Sequence, residues 1–126
     1  MKRLLIAFSV VAVIAAPTAL AAGTLTGKYK TTIKGTTALG GALNGTWTLH
    51  FTTGHYTVAE NGKTVIRGVD TVKANVLTWH DKSGPFACSA TGEYKFKMTG
   101  NQLKFTKVSD SCAGREAVLK YTFTKL

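Results

Sequence analysis

The sequence predicts an all-β fold: an eight-stranded antiparallel up-and-down barrel, closed on itself and stapled by one disulfide. Three observations predict it. Apolar and polar residues alternate with period two in short runs rich in Thr, Val, Tyr, Phe and Trp. Gly and Asn turn signals separate those runs. No stretch carries the apolar stripe of an amphipathic helix.

The chain has 126 residues. Met1-Lys2-Arg3 puts positive charge ahead of an apolar run, Leu4 to Ala16. Pro17 ends the run, and Ala19-Leu20-Ala21 fits a small-x-small cleavage site. Residues 1–21 are therefore expected to be a secretory signal peptide, removed near Ala21. The run is shorter than the about 20 residues that span a bilayer. Residues 22–126 are expected to form one exported domain, periplasmic or extracellular. They carry 14 basic and six acidic side chains, a net charge of +8. That excess speaks for solubility and anionic partners rather than for any fold.

Eight strands follow in order. Residues 27–34 point Tyr29, Thr31 and Ile33 to one side. Residues 45–53 bury Trp47, Leu49 and Phe51. Residues 55–60 follow a turn at Thr53-Gly54. Residues 63–73 follow an Asn61-Gly62 hairpin signal, and Gly68 marks a bulge there. Residues 76–81 follow Ala74-Asn75. Residues 92–99 bury Tyr94, Phe96 and Met98. Residues 102–108 bury Leu103 and Phe105 after Gly100-Asn101. Residues 115–124 form the last strand, burying Ala117, Leu119, Tyr121 and Phe123.

Alternate connections of a meander fall at the same end. The long ones, 35–44, 82–91 and 109–114, share one pole with the Asn61-Gly62 hairpin. The other pole holds tight turns and the chain ends. The domain thus has a mouth and a base. Pairing the last strand with the first removes both open edges. Cys88 and Cys112 lie in neighbouring mouth loops, and in an oxidising compartment they are expected to be bonded. The closed loop of about 25 residues corresponds to about 3 kcal/mol of stabilisation.

Over about residues 27–120 the chain resembles a short bacterial lipocalin-like (calycin superfamily) barrel. The resemblance rests on Gly27-Lys28-Tyr29, Gly45-Thr46-Trp47, Asn61-Gly62, Gly84-Pro85, Cys88, Gly92-Glu93-Tyr94 and Asp110-Ser111-Cys112-Ala113-Gly114-Arg115. Tyr29 stands where that family's first-strand tryptophan stands. The resemblance implies a cup, with the loop 35–44 as its lid.

The mouth is the candidate site. Trp47, Trp79 and Tyr94 face inward near it, Arg115 enters from the last strand, and Leu39 and Leu43 sit on the lid. Aromatic walls with one charged group suit a small, flat, apolar or aromatic ligand, even an anionic one. The competing reading is that these rings fill the top of the core and Arg115 pairs with Asp110. A usual ligand site has a cavity of about 300 Å³ or more, and a barrel this narrow holds side chains or one small ligand.

No other chemistry is expected. His50, His55 and His80 show no metal-ligand spacing. The six carboxylates are scattered, and no nucleophile elbow occurs, so neither enzyme activity nor a cofactor is expected. Charge is uneven: residues 45–81 carry three basic and three acidic side chains, residues 82–126 eight and three. Closure would gather Lys28, Lys30, Lys95, Lys97, Lys104 and Lys120 on one outer face. The first function expected is a non-enzymatic binding protein. The alternative is a secreted interaction protein, inhibitor-like or binding an anionic surface or acidic partner protein through its loops or basic face. Nucleic acid is not expected, because the rings point inward rather than offering stacking surfaces. The protein is expected to be a monomer.

Overall fold

The computed structural model describes residues 24–126; the expected signal peptide and its cleavage point at Ala21 lie outside the described residues. The chain forms β1 (Gly27–Ile33), β2 (Gly45–Thr52), β3 (His55–Glu60), β4 (Lys63–Lys73), β5 (Val76–Ser83), β6 (Gly92–Thr99), β7 (Gln102–Ser109), α1 (Ala113–Leu119) and β8 (Phe123–Lys125). A 3₁₀ turn, Ala38–Gly41, lies between β1 and β2. The eight strands close into one barrel in sequence order, every pair antiparallel.

The last segment corrects the sequence reading. Residues 115–124 are not one strand: 113–119 form α1, and only Phe123–Lys125 join the sheet. Gly-Arg-Glu-Ala-Val-Leu is made largely of good helix formers. The side chains it buries, Arg115, Val118 and Leu119, have the i, i+3, i+4 spacing of one helix face. The short β8 then closes the barrel near its base alone. Lys125 lies opposite Tyr29, Thr124 opposite Lys30 and Gln102, and Phe123 opposite Leu103. Above that level α1 makes the connection, turning Val118 and Leu119 into the core.

Below the mouth the barrel is filled with rings. Trp79 sits edge-on to Phe51 at 5.5 Å, Tyr56 at 4.7 Å and Phe105 at 5.7 Å. Phe51 continues to Tyr29, and Phe105 to Tyr94 and Phe123. Such tilted contacts align ring edges with ring faces and add about 0.5–1.5 kcal/mol per pair to the apolar burial. Leu25, ahead of β1, is buried at the base. Met98, read as inward, is exposed near the base end of β6.

Gly68 marks an irregularity: the β4–β5 register shifts between Arg67 and Gly68. Gly68 lies opposite Tyr56 in the β3–β4 ladder. A Cβ at Gly68 would collide with the Tyr56 ring and with the His80 backbone carbonyl. The missing side chain is the space the phenol lies in. Gly68→Ala should therefore destabilise the barrel by about 1–3 kcal/mol, as overpacking does. Urea unfolding measures this, and an unchanged midpoint would contradict the account.

Candidate functional site

The mouth holds a cavity of about 200 Å³. Trp47, Leu49, Val58, Ile66 and Trp79 supply its barrel wall. Leu39, Ala42 and Leu43 come from the β1–β2 connection, Phe86 and Cys88 from the β5–β6 connection. Gly114, Arg115, Val118 and Leu119 of α1 close it, with Asp81 and Cys112 at the polar side. The walls are thus apolar except where Asp81 and Arg115 face in.

The lid is held at both ends. The Asn44 side chain accepts from Thr36 N–H at 3.0 Å and donates to Thr36 O at 3.0 Å, closing the neck of the loop. Trp47 Nε1 donates to Leu43 O at 2.7 Å, fastening the loop to the barrel wall. Leu39, Gly40 and Gly41 all have positive φ. That left-handed run, easy for glycine and unusual for leucine, leaves Leu39 exposed at the cavity. Phe86 is the other exposed apolar side chain there.

The polar side is one buried ionic cluster. Arg115 Nη1 donates to Asp110 Oδ1 at 2.9 Å, and Nη2 lies 3.1 Å from Asp81 Oδ2 and donates to Ala90 O at 3.0 Å. The three side chains are 5%, 1% and 0% exposed for Arg115, Asp81 and Asp110. Each carboxylate has two more donors. Asp81 accepts from Tyr56 OH at 2.5 Å and Cys88 N–H at 2.8 Å. Asp110 accepts from Tyr94 OH at 2.6 Å and Cys112 N–H at 2.9 Å. Buried charge is tolerable only when paired and fully hydrogen-bonded. Gly92 makes room: a Cβ there would lie 2.6 Å from Arg115 Nη1 and 2.7 Å from Asp110 Oδ2.

The disulfide belongs to the same assembly. Cys88 and Cys112 are bonded, with Cα atoms 6.2 Å apart. Their two amides are the ones given to Asp81 and Asp110. Covalent staple and ionic clamp therefore fix the same two loops.

Of the residues the sequence singled out, Trp47, Trp79, Arg115, Leu39 and Leu43 line the cavity. Tyr94 does not: its hydroxyl is taken by Asp110 and its ring packs on Phe105. Arg115 sits on α1, not on a strand, and its pairing with Asp110 is one half of what holds it. With two carboxylates on one guanidinium, the cluster carries −1, and Arg115 is not available to an anionic ligand. The cavity is also smaller than the 300 Å³ or so of usual ligand sites. Sequence reasoning missed Asp81 and Tyr56. The signal that could have found Asp81 is its phase: Leu77, Trp79 and Asp81 alternate onto one face of β5.

The other features are peripheral. His80 Nδ1 lies 3.1 Å from Thr91 Oγ1, and His55 is exposed beside its turn. Among the described residues, no three His, Cys, Asp or Glu side chains cluster as a metal site requires. Among them, no helix is long and apolar enough to cross a membrane. Lys28, Lys30, Lys95, Lys97 and Lys104 are exposed on β1, β6 and β7, with Lys97 directly opposite Lys104. Lys120 is exposed at the C-terminal cap of α1 rather than on a strand, its Nζ 5.7 Å from the Tyr121 ring centroid.

No known protein family, curated protein or solved structure matches the chain. Its class is accordingly the one its own geometry defines: a closed antiparallel β-barrel with a disulfide, a buried aromatic cluster and an apolar cup under a pinned lid.

The phenols give the cluster a pH signature. Burial first, then the hydrogen bond to Asp81 and its charge, push the Tyr56 phenol far above its ordinary value. Burial and Asp110 do the same to Tyr94, and burial alone raises Tyr29. Above about pH 10 the unfolded chain loses phenolic protons that the folded chain keeps. The folded state then binds more protons, so stability is full below that pH and falls as pH rises further. Tyrosinate absorbance should therefore appear largely in one step with the loss of near-ultraviolet circular dichroism. Ionisation of all four tyrosines with the fold intact would contradict the burial of these hydroxyls.

Proposed function

We propose that this chain is an exported, non-enzymatic binding protein of the lipocalin-like kind, whose mouth cavity takes a small apolar or aromatic molecule. The cavity itself carries the reading: about 200 Å³ walled almost wholly by apolar side chains. An apolar cavity of about 150 Å³ holds benzene, so this one suits a single ring with a short substituent. Leu39 and Phe86, both exposed and both on the cavity wall, form an apolar rim over which such a molecule would pass. Export is supported by the leader-like residues 1–21 and by the disulfide, which persists in oxidising compartments. The absence of a nucleophile elbow and of paired catalytic carboxylates in the sequence supports a role without chemistry.

Calorimetric titration with toluene and ethylbenzene tests the proposal. Ligands this small should bind with dissociation constants of roughly micromolar to millimolar order. Val58→Phe, which fills the cavity from its wall, should weaken binding at least about tenfold, since the lost space admits no ring. His50→Ala on the outer face should change nothing. No binding by the wild-type protein, or equal binding by Val58→Phe, would overturn the reading. Retention on anionic vesicles without any such binding would instead assign function to the lysines of β1, β6 and β7.

A further inference from the structure

Charge is sorted along the barrel axis. Glu60, Asp81, Glu93 and Asp110 stand at or just beyond the mouth ends of β3, β5, β6 and β7, and Glu116 stands on α1. Asp70, the sixth acidic side chain, is buried in the barrel. Among the described residues, the outer face from Lys95 down to the base therefore carries no acidic side chain. It carries lysines instead. Lys28 and Lys30 on β1, Lys95 and Lys97 on β6, Lys104 on β7 and Lys125 on β8 are all exposed. Among the described residues, none of them is in an ion pair.

This arrangement works against the fold. Lys97 lies directly opposite Lys104 in the β6–β7 ladder, and like charges placed so repel. An acidic residue at either place would make an attractive pair instead. Closure then joins the two groups of lysines. Thr124 lies between Lys30 on β1 and Gln102 on β7, so β1 and β7 stand two strand spacings apart, about 10 Å across the sheet. Two exposed apolar side chains share this end: Met98, 37% exposed on β6, and Leu126, 66% exposed after β8. Lys125 N–H donates to Asn101 O at 2.7 Å, which holds the chain at Leu126 beside the β6–β7 turn. Lysines around a small apolar tip match an anionic bilayer surface. Ammonium groups meet the lipid phosphates, and apolar side chains sink to the acyl boundary. A soluble polyanion uses the charge alone.

We propose that the base of the barrel and the outer face of β6, β7, β8 and β1 form a docking surface for a bilayer rich in anionic phospholipid, with their lysines against the headgroups and Met98 and Leu126 at the interface. The inference stands apart from the ligand reading, since none of these residues lines the mouth cavity. It also orients the molecule: the base faces the membrane, and the mouth opens away from it. Leu39 and Phe86 are exposed at the mouth, but that pole suits an anionic surface less well, because Glu60, Glu93 and Glu116 stand there.

Flotation with vesicles of phosphatidylglycerol and phosphatidylcholine in equal parts, against vesicles of phosphatidylcholine alone, tests the proposal. The protein should float with the first and not with the second. Binding should fall at least about tenfold between about 0.1 M and 1 M salt, as the screening length drops from about 10 Å to about 3 Å. Lys95→Gln, Lys97→Gln and Lys104→Gln together should weaken it at least about tenfold. Lys34→Gln, Lys63→Gln and Lys82→Gln, an equal loss of charge among exposed lysines of the mouth, should weaken it less than about threefold. Met98→Gln should weaken vesicle binding and leave retention on heparin unchanged. A nitroxide carried on the lipid headgroup reads the wild-type protein, whatever the folding of the variants. It should broaden the amide signals of residues 97–104 and of β8 and spare those of residues 35–44 and 84–88. No binding to the anionic vesicles, equal losses in the two triple variants, undiminished binding of Met98→Gln, or broadening centred on the mouth loops would overturn the proposal. Retention on heparin without vesicle binding would overturn it too, and would assign these lysines to a soluble polyanion.

Discussion

Arg115 between Asp81 and Asp110 is the constraint on which the upper half of the molecule depends. Two carboxylates and one guanidinium are withdrawn from water together. Removing one partner of such a cluster leaves uncompensated buried charge, typically a loss of about 3–5 kcal/mol. The mouth is arranged so that both carboxylates and both terminal nitrogens of Arg115 are paired. The end of β5 must present Asp81 inward, and the chain after β7 must turn at once to present Asp110. Residues 113–119 must then coil so that Arg115 reaches both. Tyr56 and Tyr94 complete the carboxylates from below, and Gly92 supplies the space. The disulfide closes the same two loops, so the amides of Cys88 and Cys112 are held where the carboxylates need them.

The cup follows from this clamp. Without it, α1 would be kept over the mouth by the disulfide at its N-cap residue, by Val118 and Leu119, and by a surface ion pair, Lys107 with Glu116 at 2.9 Å. Exposed pairs of that kind contribute about 0–1 kcal/mol. With the clamp in place, α1 and the fastened β1–β2 loop roof a barrel whose lower part is already packed with rings. The space left over is a small apolar chamber, bounded by the cluster on one side and Trp79 beneath. A third buried carboxyl, Asp70, lies opposite Trp79 in the β4–β5 register; burial raises its pKa, and Oδ1 has no partner.

Much of this was legible from the residues. Period-two alternation places Trp47, Leu49, Phe51, Leu103 and Phe105 inward, and the turn signals divide the chain into a mouth and a base. The spacing of long loops then brings Cys88 to Cys112. The helix was not legible, because the segment from Arg115 to Phe123 satisfies two periods at once. Ala117, Leu119, Tyr121 and Phe123 alternate as a strand does, while Arg115, Val118 and Leu119 share one helix face. The helix places Arg115 between two carboxylates, Asp110 nearby in sequence and Asp81 about thirty residues away. No local pattern contains Asp81. Tyr94 is inward as the alternation places it, but its hydroxyl is donated to Asp110 and its ring does not reach the cavity. Lys120 stands at a helix end rather than on a strand, because the segment that carries it coils.

Native-state hydrogen exchange of an Arg115→Met variant tests the clamp most directly. Methionine keeps much of the apolar stem and removes the charge that neutralises Asp81 and Asp110. Amides of α1 and of the connections holding Cys88 and Cys112 should lose protection by several orders of magnitude, in line with a loss of about 3–5 kcal/mol. Those of β1 to β4 should stay close to wild type. Wild-type protection across α1 in that variant would contradict the account, because the roof would then stand without the clamp.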